Sequence, residues 1–287
     1  MRKNAFLLAF LLFCSVFTIE AQLFWKVSRA DVAKPSYLFG THHLIEKEKI
    51  PVYQQMIDSI KAVDVVVGEM DMSNMLSIQM KLAQGAMMKD TVLSDLVTAE
   101  EYAMLEVEFK EVTGMKLSQL ERMKPMMLST LHTVMMYQKH MDLKKTPEGV
   151  DGEIQKAGKK LKKEIYGLET PEQQIDILFN FIPLKRQAEM LVEQVKEKGE
   201  ALEGITKLNA AYLSGDLDAL EAVFKETEMG KEEELILLDN RNNNWIVQLT
   251  GMFPKKSCLV AVGCLHLVGE TGLIQQLRKA GYTVEAL

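Results

Sequence analysis

Two short apolar runs in this chain end the same way, and they limit what it can fold into. Tyr37-Leu38-Phe39 leads into Gly40-Thr41-His42-His43, and Cys258-Leu259-Val260-Ala261-Val262 leads into Gly263-Cys264-Leu265-His266. Each reads as a buried strand that meets glycine, passes two residues and delivers a histidine. A glycine at such a strand end lets the backbone turn sharply or approach a neighbour closely. In open α/β sheets the crevice beyond the carboxyl ends of the strands is where ligands bind. Gly-x-x-His alone arises often by chance; its repetition in matching strand context makes His43 and His266 candidates for one shared site.

Two further strands obey the same logic with a carboxylate. Val63-Asp64-Val65-Val66-Val67-Gly68 is followed by Glu69, and Ile165-Tyr166-Gly167-Leu168 by Glu169. Leu23 to Ser28 and Ser36 to Phe39 read as strands joined by a turn around Pro35, and Tyr282–Ala286 as an edge strand. Pro51 to Ala62 shows a stripe of Val52, Met56 and Ile60 at helical spacing. Thr170 with Gln173 forms a capping box opening the next helix, and helices follow over Ala188–Lys198, Ile205–Glu226 and Gly272–Ala280. The reading is an α/β fold: a central mixed sheet flanked by helices.

Between about residues 72 and 148 strand signals give way to helical periodicity. Fourteen of the 19 methionines lie from Met70 to Met141, so this stretch reads as an inserted Met-rich helical subdomain. Its methionines are most simply core residues, with an adaptable apolar groove as the alternative. His132 and His140 on it read as structural or surface residues. The lysines at 156, 159, 160, 162 and 163 read as a solvated face. The helix Glu232–Leu249 carries Asn240-Arg241-Asn242-Asn243-Asn244, a run costly to helix propensity. Arg241 and Asn242 therefore read as facing something specific, or Arg241 as paired with a nearby acid.

Residues 1–21 resemble a secretion signal: Arg2 and Lys3, an apolar run Ala5–Phe17, then Ile19-Glu20-Ala21 before the cut. The run is too short to span a bilayer, and no transmembrane helix is expected in the mature chain. Cys14 follows the bulky Phe13, which disfavours lipoprotein processing relative to simple cleavage. The protein is thus expected to be exported, periplasmic or secreted. Cleavage removes two of 34 basic residues and one of 40 acidic ones, leaving 32 and 39 and a net charge of −7. That balance argues against nucleic acid, which needs a basic face. Cys258 and Cys264 lie six strand residues apart, about 20 Å, whereas a disulfide needs about 7 Å or less. Oligomeric state is not legible.

The ordered set Gly40-Thr41-His42-His43, Gly68-Glu69, Gly149-Val150-Asp151, Gly167-Leu168-Glu169-Thr170, Arg241-Asn242 and Gly263-Cys264-Leu265-His266 with Gly272-Leu273 resembles the TraB/GumN family. That family is related to the Tiki proteins and, more distantly, to erythromycin-esterase and ChaN-like proteins. The resemblance covers nearly all of the chain after residue 21. It implies an α/β sheet with one site made from His43, His266 and Glu69, and Arg241 beside them. His42 falls at a variable position of the motif, and His42, Asn242 and Asp151 rank as secondary candidates. Cys264 stands where the family usually has a small residue.

The Tiki branch implies a metal-dependent protease using manganese or cobalt; other TraB-type members are described as blocking peptide pheromone signalling, which needs binding without cleavage. Imidazoles and a carboxylate suit Mn²⁺, Co²⁺ or Zn²⁺. Glu169, or Glu69 if it is not a ligand, is then the candidate general base, and Arg241 a candidate oxyanion or carboxylate holder. No His-Glu-x-x-His, Gly-x-Ser-x-Gly or phosphate loop is present. The expectation is an exported, metal-dependent, peptidase-like hydrolase acting on a peptide or small amide or ester. The alternative is a non-catalytic module that sequesters a peptide or signal. A metal or haem carrier, by analogy with the ChaN-like branch, is a weaker third reading.

Overall fold

A computed structural model describes residues 23–143, 149–226 and 230–287. The expected signal segment and Cys14 lie outside the described residues. Six strands form one mixed sheet: β1 (Phe24–Ser28), β2 (Ser36–Thr41), β3 (Val65–Met70), β4 (Glu164–Glu169), β5 (Cys258–Gly263) and β6 (Thr283–Ala286), in the order β4-β3-β5-β2-β1-β6. β2, β3, β4 and β5 run parallel, while β1 is antiparallel to both β2 and β6. The central strands β3 and β5 carry the unbroken apolar runs Val65-Val66-Val67 and Cys258–Val262, all buried. Such runs, without polar alternation, are what a parallel sheet covered on both faces requires.

The register sets the strand ends side by side. Gly68 lies opposite both Gly167 of β4 and Ala261 of β5, Gly40 opposite Val262, and Thr41 opposite Gly263. The four glycines, Gly263 at the end of its strand and Gly40, Gly68 and Gly167 one or two residues before theirs, therefore lie side by side along one end of the sheet. At Gly40 a side chain would crowd the turn after β5. A Cβ there would stand 3.1 Å from Cys264 Cβ and 3.0 Å from Leu267 Cδ1. This close approach lets the turn carrying His266 sit directly on β2, so the two Gly-x-x-His motifs pack against each other.

Helices fill the connections. Beyond β2 comes α1 (Tyr53–Ser59), which places Met56 in the core. Between β3 and β4 lie α2 (Met75–Gly85), α3 (Ala99–Thr113), α4 (Pro125–His140) and α5 (Val150–Lys160). α3 opens with a capping box of Thr98 and Glu101 and closes on Gly114 in the left-handed conformation. Between β4 and β5 run α6 (Pro171–Phe179), α7 (Leu184–Lys196), α8 (Lys198–Ser214), α9 (Leu217–Glu226), α10 (Lys231–Glu234), a π-helical stretch Leu235–Asp239, and α11 (Asn240–Met252); α12 (Leu273–Lys279) precedes β6. The expected Thr170–Gln173 capping box opens α6. Among the described residues no helix is long and apolar enough to cross a membrane.

The sheet and its covering helices share the main core. A second apolar cluster joins α3, α4 and α7 through Leu105, Phe109, Leu128, Leu191 and Val195. The methionines of this region divide: Met88 and Met136 are buried, whereas Met75, Met80 and Met141 are exposed. His132 is fully buried, with Nε2 3.1 Å from Glu108 and Nδ1 2.9 Å from Gln194 Nε2. Its bonds are all structural. Cys258 and Cys264 are both free and buried.

Gly167 makes the tightest approach on the site edge, since a Cβ would fall 2.4 Å from the backbone nitrogen of Asp71. Gly167→Ala is expected to lower stability by about 1–3 kcal/mol, read as a shifted denaturant midpoint at constant slope. An unchanged midpoint would mean the edge is not packed this closely.

A candidate active site at the carboxyl ends of the strands

Glu69 is the penultimate residue of β3, Glu169 ends β4, and His266 sits on the single turn after β5; all three converge on Arg241, delivered by the first turn of α11. Arg241 donates through Nε to Glu169 Oε1 at 2.8 Å and through Nη2 to Glu169 Oε2 at 3.0 Å. The same Nη2 donates to Glu69 Oε2 at 2.5 Å, and Nη1 to His266 Nε2 at 3.0 Å and to the Leu237 carbonyl at 3.2 Å. The planar guanidinium thus spends its fork on two carboxylates and an imidazole, a pattern that lysine cannot copy. The side chains of Arg241, Glu69 and Glu169 are 11 %, 17 % and 7 % exposed.

Arg241 can only donate, so His266 Nε2 is the acceptor and Nδ1 bears the proton. That proton goes to Asn242 Oδ1 at 2.7 Å, and Asn242 Nδ2 in turn donates to the Thr271 carbonyl. Burial, with the Arg241 charge adding to it, pushes the His266 pKa down to about 3, so the ring is neutral. Burial would raise the Glu69 carboxyl, but the Arg241 charge and the Gly263 N–H, which donates to Oε1 at 2.9 Å, hold it down at about 2. Trp245 lies under the group: its ring is 4.4 Å from His266, Arg241 stacks over it at 4.7 Å, and Nε1 donates to Glu169 at 3.0 Å.

His43 and Asp151 form a second group on the same edge. His43 Nδ1 lies 3.1 Å from Asp151 Oδ2, and Thr41 donates to Asp151 Oδ1 at 2.8 Å. Asp151 raises the His43 pKa above its ordinary value. The ring is 68 % exposed, so the pair adds little to stability while leaving Nε2 toward solvent. His42 turns the other way. Its Nδ1 accepts from Leu44 N, its ring lies 5.2 Å from Tyr212, and burial pulls its pKa down to about 4. Burial also pushes the Cys264 thiol up to about 12, which makes it a poor nucleophile.

The edge therefore gathers Glu69, Glu169, Arg241, Asn242 and His266 in one network and His43 with Asp151 in another. No hydrogen bond joins His43 to Glu69 or His266 among the described residues. As arranged, the residues do not fit a bound divalent cation. Among the described residues no three His, Cys, Asp or Glu side chains assemble as ligands, and Arg241 fills the point where Glu69, Glu169 and His266 meet. Trp245 reads from sequence only as a buried face of its helix, and Gln174, Thr41 and Tyr212 carry no site role there. Gln174 donates to Glu69 at 3.3 Å, and Tyr212 Oη to the Gly40 carbonyl at 2.9 Å. Trp245 had one usable signal, its position four residues after Arg241 on the same helix face.

Fold and site together define an α/β protein whose strand ends join two acids, a guanidinium and one histidine in a single network, with a histidine–carboxylate pair on the same sheet edge. The chain belongs to the TraB/PrgY/gumN family, whose family model matches residues 23–286. No curated protein and no solved structure matches the chain.

The buried titrating groups fix how stability depends on pH. His266 is neutral when folded but takes a proton below about 6.5 when unfolded. From there down to about 3 the unfolded state binds more protons, so stability falls with falling pH. Glu69, with its lowered folded pKa, adds the same sign below about 4.5. His42, lowered to about 4, adds the same sign, so denaturant titrations should show a slope of up to about 2.7 kcal/mol per pH unit between pH 6.5 and 4.5, roughly halved in His266→Gln. A flat profile in the parent protein would contradict a buried neutral His266.

Proposed function

We propose that the strand-end crevice binds and hydrolyses a peptide or a small amide or ester, and that the chain is an exported, peptidase-like hydrolase. The observation that supports this most directly is the contrast of ionisation on one sheet edge: Glu69 held as a carboxylate, His266 held neutral, and solvent-facing His43 biased toward its cation by Asp151. Groups pushed apart in this way are the usual basis for dividing acid and base roles. His43 is the group able to hold or release a proton at Nε2 facing solvent, with Asp151 orienting its ring. Arg241, whose five N–H groups go to Glu169, Glu69, His266 and the Leu237 carbonyl, would orient the two carboxylates of the crevice floor and would hold a substrate oxygen or carboxylate only by releasing one of those bonds. Glu169 lies on that floor and is oriented by Trp245.

Mn²⁺, Co²⁺ or Zn²⁺ is the cofactor that the family resemblance and the Tiki branch imply, with His43, His266 and Glu69 as its ligands. Such an ion would have to displace Arg241 from His266 Nε2 and from Glu69, and none of the proton handling above depends on it. The second reading, a module that sequesters a peptide or signal, is favoured by the same contact. Arg241 already satisfies Glu69, Glu169 and His266, which leaves a preformed polar floor that can bind without turning over.

A peptide-cleavage screen, run on metal-analysed protein with and without chelator and with each of the three ions added back, separates these readings. Hydrolysis that falls about 100-fold or more in His43→Ala is expected. Binding of peptides without cleavage under every condition would replace hydrolysis with sequestration. Cleavage that survives chelation with no bound ion would remove the metal from the reading. For export, intact-mass analysis of native material is expected to show a chain beginning at Gln22; a retained residue 1–21 segment or a lipidated Cys14 would overturn that start.

A further inference from the structure

The crevice occupies one end of the sheet, and the opposite end is basic. The loops that lead into β2, β3, β4 and β5, residues 29–35, 58–64, 159–164 and 255–257, hold nine Lys and Arg against four Asp and Glu. Their net charge of +5 stands in a chain whose net charge is −6, which leaves −11 elsewhere. Parallel register brings these loops together, since Val65 lies opposite both Glu164 and Cys258, and Tyr37 opposite Leu259. Side chains join them as well. Lys34 pairs with Asp64 at 3.2 Å, Asp64 accepts from Ser257 N and Oγ at 3.0 and 2.8 Å, and Lys256 pairs with Glu164. Lys163 Nζ donates to the Lys61 and Val63 carbonyls at 3.0 and 2.7 Å.

These contacts leave part of the charge unused. Among the described residues Lys159, Lys160, Lys162 and Lys255 are exposed, and their ammonium groups reach no acceptor. Lys159 and Lys160 close α5, where positive charge complements the helix end. Lys162 and Lys255 lie beyond their helices, so that effect does not account for them. Lys162 also holds a φ of +56°, the left-handed conformation that glycine usually takes where a helix closes. Among these lysines Leu161 is 43 % exposed. An aliphatic side chain amid unpaired ammonium groups on long apolar stems suits a lipid interface, with charge at the headgroups and carbon below them. Nucleic acid, the other large polyanion, is served less well. The unpaired cations are all lysines rather than arginine forks, and no exposed aromatic ring stands among them for bases to stack on.

We propose that the amino end of the sheet docks the protein on an anionic membrane surface, through Lys159, Lys160, Lys162 and Lys255, with Leu161 entering the headgroup layer. Each lysine held near such a surface contributes about fivefold in affinity, and four together roughly several-hundredfold. The negative charge on the rest of the chain is repelled from the same surface, which fixes one orientation. β2, β3, β4 and β5 are six residues long, so about 20 Å of strand separates this face from the crevice. A docked molecule therefore keeps the crevice turned to solution, where it meets soluble substrate. The docking does not rest on the hydrolase reading.

The test is co-sedimentation of the native chain with vesicles of phosphatidylcholine alone or mixed with phosphatidylglycerol, at low and high salt. Binding to the anionic vesicles at least about 100-fold tighter than to phosphatidylcholine, and lost at high salt, is expected. The triple variant Lys160→Gln/Lys162→Gly/Lys255→Gln should bind the anionic vesicles about 100-fold more weakly. It should unfold at the parent's denaturant midpoint or above it, because glycine takes the left-handed turn without strain. Lys89→Gln/Lys110→Gln/Lys116→Gln removes the same charge from exposed positions elsewhere and should bind as the parent does. Leu161→Gln should weaken binding by roughly fivefold. Equal binding to the two kinds of vesicle, or equal losses in the two triple variants, would overturn the docking face. Tighter binding to a DNA or RNA duplex than to the anionic vesicles would overturn it in favour of nucleic acid.

Discussion

Arg241 is the residue on which the crevice depends. It brings one positive charge to a place where β3 and β4 each deposit a carboxylate and β5 deposits an imidazole. Without a cation, two acids emerging side by side from parallel strands would repel each other in a partly buried setting, and one would take up a proton. With Arg241 present Glu69 stays ionised and His266 stays neutral. A buried pair of this kind is poor evidence for net stability, since desolvation offsets much of the attraction, yet removing one partner costs about 3–5 kcal/mol. Its larger effect is on geometry. The forked donor fixes the separation of β3 and β4 at their ends and docks the start of α11 over the sheet.

Other features follow from that docking. The π-helical stretch Leu235–Asp239 precedes Arg241, and its Leu237 carbonyl accepts from the same guanidinium; π turns concentrate at functional positions because they re-aim side chains at a local cost. The asparagines that weaken this helix by propensity find a use nearby. Asn242 is 1 % exposed and sets the tautomer of His266. Trp245, one turn on, seals the underside and keeps water from screening the charges. The opposite wall is built differently, with His43 and Asp151 near solvent, so one edge combines a rigid buried floor with an exposed proton-bearing rim.

Much of the fold was legible from local chemistry. The β-branched runs and the Thr170–Gln173 capping box are decided within a few residues, and the structure places them where those residues indicate, whereas Gly40, Gly68 and Gly167, expected to end their strands, lie one or two residues inside them. Element ends were less so. The expected Pro51–Ala62 helix is α1 followed by a 3₁₀ turn, and the expected Glu232–Leu249 helix is divided by the π stretch. Hydrogen-bond patterns at such joints depend on what packs against them, which periodicity does not carry. Candidate residues were legible because polar side chains just past buried strands are uncommon and come with glycines.

The sequence by itself determined that four apolar strands would end in His43, Glu69, Glu169 and His266, since burial of each run forces its polar successor outward. It also determined that residues 240–244 would weaken the helix that carries them. Only the tertiary structure decided that Gly68 faces Gly167 and Ala261, which brings the carboxylates together. Packing likewise turned His42 onto Tyr212 and His43 toward Asp151, although the two are neighbours in the chain. That Arg241, rather than another strand-end residue, completes the group is a matter of distance across 172 residues of sequence. Pairing over such separations is set by sheet register and helix docking, which no local pattern encodes.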